Sequence, residues 1–397
     1  MKKQASQAYQ RFLDKLPAQR RRRLRAFGKM SGSRIEQDGR VLYNFSSNNY
    51  LGLARHPALL QRAVEWAEAW GTGSGASRLV CGNMELFEQV EAKLARAKHK
   101  EAALVMASGY QTNASVLAAL LHPKILGADP LVYSDELNHA SIHQGCRAAR
   151  IRQIRYRHND LDHLESLLRE EAREKRPRFI LTESVFSMDG DRADIEQLVE
   201  ISDKYGAFLY LDEAHATGVL GSNGFGLASG YGERVDLVMG TFSKALGSFG
   251  AYVACSEKLR DFLVNRCPGL IYSTGLPAAI LGANDAALDL VPQMADERAW
   301  LENAAERVRQ GFRRLGLDTG PSTTQIIPII VGTEETALGL SSALEEHGIL
   351  GVAIRPPSVP EGESRIRFTV TAAHEDADLD WLIESMDQAV RNLRIIS

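Results

Sequence analysis

Phe208-Leu-Tyr-Leu-Asp-Glu-Ala-His215 sets the terms for reading the rest of the chain: an unbroken apolar and aromatic run gives way abruptly to two acids and a histidine. Short continuous apolar runs of this kind mark strands buried on both faces, as in a parallel sheet covered by helices above and below. Leu237-Val-Met-Gly-Thr-Phe-Ser-Lys244 repeats the pattern and ends on a lysine. Open α/β sheets gather ligand chemistry at the carboxyl ends of their strands. Asp212, His215 and Lys244 are therefore expected along one edge.

That set suits pyridoxal 5'-phosphate (PLP), which needs a lysine amine for a Schiff base and an aspartate that keeps the pyridine nitrogen protonated, so that the ring accepts electrons. Working outward, residues 102–107 read as a strand running into Ser108-Gly-Tyr-Gln-Thr-Asn113. Strand, small-residue turn and helix start present free backbone N–H groups to an anion, which makes Ser108 to Tyr110 a phosphate cradle. Residues 131–135 form the next strand and deliver Asn138-His139-Ala-Ser-Ile-His143. Strands are expected at 151–156 and 179–183, the latter followed by Ser184-Val-Phe-Ser187-Met-Asp-Gly190, with a return strand at 250–254 and a helix from 161 to about 175. A long helical region from 277 to about 315 leads to strands at 326–331 and 365–370 and a helix at 335–347. The expected fold is α/β, with a large, mostly parallel α/β/α sheet domain at 48–290 and a smaller α+β domain at 291–397. A helical arm and short strand at 1–47 precede them.

Other readings of the same residues fare less well. Asp-Glu-Ala-His also occurs in nucleic-acid helicases, but these need a phosphate loop G-x-x-x-x-G-K-[ST], and the chain's Gly28-Lys29 pair is followed by Met30. His139 and His143 lack the glutamate of H-E-x-x-H and a third ligand, so no metal is expected, and an imidazole stacked on an aromatic cofactor suits His139 better. Gly71-Thr-Gly-Ser-Gly75 follows a helix and not a strand, which argues against a dinucleotide loop. Arg20-Arg-Arg-Arg23 is open to two readings, a solvated basic face or arginines that reach an anionic substrate.

Composition agrees with an ordinary enzyme of 397 residues, 24% charged and 44% hydrophobic, with net charge -3. Neither nucleic acid nor a membrane surface is an expected partner. The four cysteines, Cys81, Cys146, Cys255 and Cys267, show no C-x-x-C spacing, so neither a disulfide framework nor a zinc site is expected. With no run long enough to span a membrane and a charged N-terminus, the expected location is cytoplasmic.

Taken in order, Ser108-Gly-Tyr110, Asn138-His-Ala-Ser141, Phe186-Ser-Met-Asp-Gly-Asp191, Asp212-Glu-Ala-His-Ala-Thr-Gly218 and Thr241-Phe-Ser-Lys244 resemble the α-oxoamine synthases, PLP enzymes of the fold-type-I transferase class. The resemblance implies that Lys244 forms the Schiff base, that Asp212 partners the pyridine nitrogen, that His215 donates to the ring's phenolic oxygen and that His139 stacks on the ring. It assigns Gly109, Tyr110 and Thr241 to phosphate or cofactor contacts and makes Ser187 a cofactor neighbour. It also implies a homodimer with shared active sites, in which the Ser273-Thr274 loop reaches the partner's phosphate. Arg355 corresponds to the arginine that takes the substrate carboxylate, while Asn48, Arg22 and Ser358 fall near substrate-binding positions. The segments Ala353-Ile-Arg-Pro-Pro-Ser358 and Arg365-Ile-Arg-Phe-Thr-Val-Thr-Ala-Ala-His374 most resemble members of the biotin pathway. The implied substrates are L-alanine and pimeloyl-CoA or pimeloyl-ACP, joined by decarboxylative Claisen condensation. Rival members are 2-amino-3-ketobutyrate CoA ligase, 5-aminolevulinate synthase and serine palmitoyltransferase. A rival of another class is a non-catalytic binding protein on the same fold, against which the intact Lys244 and Asp212 speak.

Overall fold

The computed structural model describes residues 4–395. Its centre is a sheet of seven strands: β1 (Ala102–Met106), β2 (Leu131–Asp135), β3 (Gln153–Tyr156), β4 (Arg178–Glu183), β5 (Ala207–Asp212), β6 (Leu237–Thr241) and β7 (Ala251–Cys255). They lie in the order β1-β7-β6-β5-β4-β2-β3. Strands β2 to β6 are parallel, and β7 returns antiparallel to both β1 and β6. Along β5, Leu209 and Leu211 join one hydrophobic cluster and Tyr210 another; along β6, Val238 parts from Leu237 and Met239 in the same way. A side-chain period of two therefore feeds cores on opposite faces. That is why the strands read as continuous apolar runs. Helices Gly109–Leu120 and Ala140–Ala148 supply Val116, Leu117, Ile142 and Cys146 to one core, and Ile195–Tyr205 supplies Leu198 and Val199 to the other.

Two smaller sheets flank this layer. Ile326–Gly332, Ser364–Thr369 and Val352–Ile354 form an antiparallel sheet, and a hairpin of Arg34–Gln37 with Arg40–Asn44 pairs in parallel with Ile349–Leu350. The N-terminal hairpin thus shares a sheet with the C-terminal part of the chain. Two helices end earlier than their sequence pattern. The helix expected to reach about residue 175 stops at Glu170, where the Arg178 guanidinium takes the carbonyls of Glu171, Ala172 and Glu174. The long region after residue 277 is two helices, Ala278–Leu290 and Ala295–Arg314, separated at Val291–Gln293. Pro292 has no N–H to continue the first.

The loops beyond the strands' carboxyl ends are tied to one another. Gly190 has φ of 70°, and a Cβ there would lie 2.1 Å from the Ile326 carbonyl oxygen, so this close approach between the β4 loop and the C-terminal sheet requires glycine. His158, beyond β3, bonds Asp135 at the end of β2 and Asp191 in the β4 loop, each at 3.0 Å. Burial by itself would lower the imidazole's pKa, but the hydrogen bonds and charges of the two aspartates outweigh it and raise it to about 10. A raised folded-state pKa stabilises fully below the unfolded value near 6.5, and the contribution is lost as pH climbs through about 10. His158→Gln is expected to lower the thermal midpoint at neutral pH, with the gap to wild type closing as pH approaches 10. A gap that stayed constant over that range would show that the imidazolium contributes nothing.

Candidate active site

Lys244 sits three residues past β6 in a turn closed by Gly247 N–H to its carbonyl and by Ser248 N–H to the Phe242 carbonyl. Its Nζ lies 2.8 Å from His215 Nε2. Arg367 Nη2 donates to Tyr50 Oη (3.4 Å) and Asn48 Oδ1 (3.2 Å), and Tyr50 donates to Asn48 Oδ1 at 3.0 Å. With its proton so placed, the Tyr50 oxygen accepts from His215 Nδ1–H at 2.7 Å. His215 Nε2 is then the acceptor for Lys244, an assignment that follows from the network. Burial holds His215 well below its ordinary pKa, with Lys244 and Arg367 pushing the same way. Burial also lowers Lys244 to about 8, against the pull of Asp212. The site therefore keeps a lysine amine poised near neutrality beside a neutral imidazole.

Asp212 ends β5 and is buried. Its Oδ2 accepts from Asn113 Nδ2 at 2.7 Å and its Oδ1 from the Ala214 N–H at 2.9 Å. Asn113 is itself held by Tyr210 Oη at 2.6 Å and donates to Ser141 Oγ at 2.9 Å. His139 caps helix Ala140–Ala148: its Nδ1 accepts the Ser141 N–H (3.3 Å) and lies 2.6 Å from Ser141 Oγ. Burial lowers its pKa too, with Asp212 opposing. A continuous chain of hydrogen bonds thus runs from His139 through Ser141 and Asn113 to Asp212.

The helix Gly109–Leu120 begins directly beyond β1, and Ser108 Oγ accepts the Gln111 N–H at 3.4 Å. The N–H groups of Gly109 and Tyr110 lie in the first turn, where a helix offers them no acceptor. The Tyr110 ring stands edge-on to His139, 6.4 Å between centroids. Thr241 Oγ1 is anchored to the Gly250 carbonyl (2.8 Å), and the Ser187 carbonyl accepts from Arg367 Nε. Ser273 Oγ accepts from Gln111 Nε2 at 2.6 Å within the same chain, and Thr274 bridges to Ser77. A half-buried primary amine, a carboxylate fixed by two N–H donors, an imidazole and a helix N-terminus form a donor set that fits PLP.

Arg22, Arg355 and Ser358 come together elsewhere. Arg22 Nη2 donates to Ser358 Oγ at 3.1 Å, Arg355 Nη1 donates to the Gln19 carbonyl, and all three line a cavity of about 460 Å³ with Arg20, Arg23, Leu24, Ile354 and Pro356. Arg20 is committed to Glu334 (2.6 Å) and Glu361 (3.1 Å). Among the described residues, Arg22, Arg23 and Arg355 have no carboxylate partner, and no hydrogen bond joins this group to Lys244 or His215. Sequence reasoning gave no role to Tyr50, Asn113, Glu183 or Arg367. One signal was available for the last. Arginines two apart in a strand share a face, and Arg365 and Arg367 are both buried, at 1% and 7% exposure. Arg365 pairs with Asp189 at 2.6 Å and Glu363 at 3.0 Å, whereas Arg367 has no carboxylate partner among the described residues.

Residues 40–386 match the family model for aminotransferase class I and II. The chain is 57% identical over 359 residues to the 8-amino-7-oxononanoate synthase of Gluconacetobacter diazotrophicus, covering 90% of each. A solved structure of serine palmitoyltransferase with PLP superposes with a TM-score of 0.88 at 25% identity, over 99% of this chain and 98% of that one. The 8-amino-7-oxononanoate synthase of Francisella tularensis shares the fold, with a TM-score of 0.76 at 24% identity over 89% of this chain and 99% of that one.

The electrostatics of Lys244 can be checked without cofactor. In the cofactor-free protein its acetylation rate, followed by mass spectrometry, is expected to rise with an inflection near pH 8, where an ordinary lysine inflects near 10.5. An inflection at the ordinary value would show that the amine is not desolvated.

Proposed function

The chain belongs to the class I and II aminotransferase family and, within it, to the PLP-dependent α-oxoamine synthases, and we propose that it condenses L-alanine with pimeloyl-CoA or pimeloyl-ACP. The products are 8-amino-7-oxononanoate, carbon dioxide and a free thiol, on the route to biotin. The names and identities of the relatives support the reaction class. The observation that carries the choice of substrates is the pair of arginine sites, one buried beside the lysine network and one lining a cavity.

PLP, when bound, supplies an aldehyde that captures amines and an electron sink for a carbanion at Cα. Lys244 is the residue that would hold it, and Asp212 would keep a proton on the pyridine nitrogen. Gly109, Tyr110 and Thr241 would receive the phosphate end, with Ser187 as a neighbour. Once displaced by alanine, Lys244 takes the Cα proton on Nζ, and a pKa of about 8 leaves part of it as free base at neutral pH. The Cα then bonds to the thioester carbonyl carbon as the C–S bond breaks, and the departing thiolate takes a proton from solvent. The former alanine carboxylate departs as carbon dioxide, and Nζ returns a proton to the same carbon. His139, whose Nδ1 is occupied by Ser141, has Nε2 left to orient that carboxylate.

A buried guanidinium without a carboxylate is costly and favours an anionic ligand. Arg367 is such a group, and its link through Tyr50 and His215 to Lys244 supports it as the seat of the alanine carboxylate, with Asn48 alongside. The resemblance gave that carboxylate to Arg355. The cavity's uncommitted arginines and apolar Leu24 and Ile354 suit an aliphatic chain ending in an anion, which favours Arg355, Arg22 and Ser358 as the site of the pimeloyl end. A homodimer belongs to the same reading. Exposed Leu79, Val80 and Tyr272 adjoin the Ser77–Thr274 bridge and form an apolar face for a second copy, and light scattering at the mass of one chain for active enzyme would remove it.

Arg367→Ala is expected to weaken alanine binding by about 2–5 kcal/mol, the usual loss when one partner of a buried charge pair goes. Arg367→Lys recovers part of it, because an ammonium lacks the two-pronged fork. Arg355→Ala should leave alanine affinity in place and raise KM for the pimeloyl thioester. The reverse pattern, with alanine affinity lost in Arg355→Ala and kept in Arg367→Ala, would exchange the two assignments.

A further inference from the structure

Glu183 ends β4 in register with Asp212 at the end of β5. Partners on adjacent parallel strands are about 4.8 Å apart and send their side chains to the same face. Two carboxyl groups therefore share one dry edge, Glu183 with 3% and Asp212 with 4% exposure. The charge on one such carboxyl disfavours ionisation of its neighbour, and their surroundings decide which one keeps the proton. Here the surroundings differ. Asp212 accepts an N–H at each oxygen, from Asn113 and Ala214. Glu183 accepts one hydrogen bond, from the backbone N–H of His139 to its Oε1. The charged groups around it are Asp212 on β5, Lys244 beyond β6 and Asp135 at the end of β2, with His139 at the start of the next helix. Burial, then Asp212, drive Glu183 well above the usual carboxylate range, and the His139 N–H and Lys244 do not offset them.

We propose that Glu183 is a positioning residue: as a neutral carboxylic acid it holds the backbone of His139 and leaves Asp212 as the one ionised carboxyl at the pyridine end of the cofactor site. This rests on the reading of Asp212 and His139 as cofactor contacts. The side-chain Oε1 of Glu183 accepts the N–H of His139, the residue that caps helix Ala140–Ala148, and so holds the backbone from which the His139 ring reaches Ser141 through Nδ1. An anionic Glu183 would add a second negative charge near Lys244 and draw its proton back, working against the burial that frees the amine. Glu183 touches no reacting atom in this role.

Two variants separate the charge from the hydrogen bond. Glu183→Gln keeps a carbonyl acceptor for the His139 N–H and is neutral at every pH; Glu183→Leu keeps the bulk and removes the acceptor. The first readout is the pH dependence of Lys244 acetylation in the cofactor-free protein. A neutral Glu183 leaves the Glu183→Gln inflection where wild type has it. An anionic one, once removed, lowers that inflection by about one unit or more, and this result would overturn the inference. The second readout is visible circular dichroism of the PLP-loaded proteins, with occupancy of Lys244 verified by borohydride reduction and peptide mapping. Glu183→Gln is expected to match wild type and Glu183→Leu to lose signal. A Glu183→Leu spectrum identical to wild type would remove the positioning role, and should that variant not fold, the charge arm on Glu183→Gln still decides. Borohydride that fixed PLP to another lysine in wild type would instead overturn the reading of the site, while leaving the charge result standing.

Discussion

The hydrogen bond between Lys244 Nζ and His215 Nε2 is the contact on which the site turns, because it gives a half-buried amine an acceptor without giving it a counter-ion. A lysine facing an unoccupied carboxylate would be held as a cation. The fold prevents this by giving the nearby carboxylate other partners: Asn113 and the Ala214 N–H take Asp212. Behind His215, Arg367 adds positive potential that helps keep the imidazole neutral and disfavours the protonated form of the lysine. Burial then outweighs the pull of Asp212, and an amine whose ordinary pKa is 10.5 comes down to about 8.

That arrangement depends on strand register. Glu183, Asp212 and Met239 lie side by side across β4, β5 and β6, so β4 and β5 end at one level, where their loops begin, and β6 runs two residues further, to Thr241. The His158 clamp between Asp135 and Asp191 and the glycine contact between residue 190 and Ile326 hold those loops at that level. Arg365 and Arg367 divide the work of the C-terminal sheet. Arg365, paired with Asp189 and Glu363, fastens the sheet to the β4 loop, and Arg367 brings an uncompensated charge to the lysine network.

Much of this could be read in the sequence. Apolar runs that end in Asp212 and Thr241, and the helix start after Ser108, follow from local periodicity and turn chemistry. The expectation of a type-I fold and of PLP agrees with the family match. Helix ends were less legible, because Pro292 and the reach of Arg178 to the carbonyls after Glu170 break a hydrophobic pattern that continues past them. The partners that surround Lys244, His215 and Asp212 were not legible: Tyr50, Asn113, Glu183 and Arg367 come from four separate segments, and only the folded chain makes them neighbours. Arg355 illustrates the converse. The family resemblance marked it for attention, while the more buried arginine, twelve residues on, sat in an ordinary strand pattern.

The most direct measurement is the fate of alanine's carboxyl carbon. Purified PLP-loaded protein is incubated with carboxyl-labelled L-alanine and a pimeloyl thioester, and labelled carbon dioxide and free thiol are followed together. The expected result is release of both in equal amounts, with glycine and serine giving far less of either. Thiol release without labelled carbon dioxide, or a clear preference for glycine with a short acyl thioester, would contradict the proposed reaction.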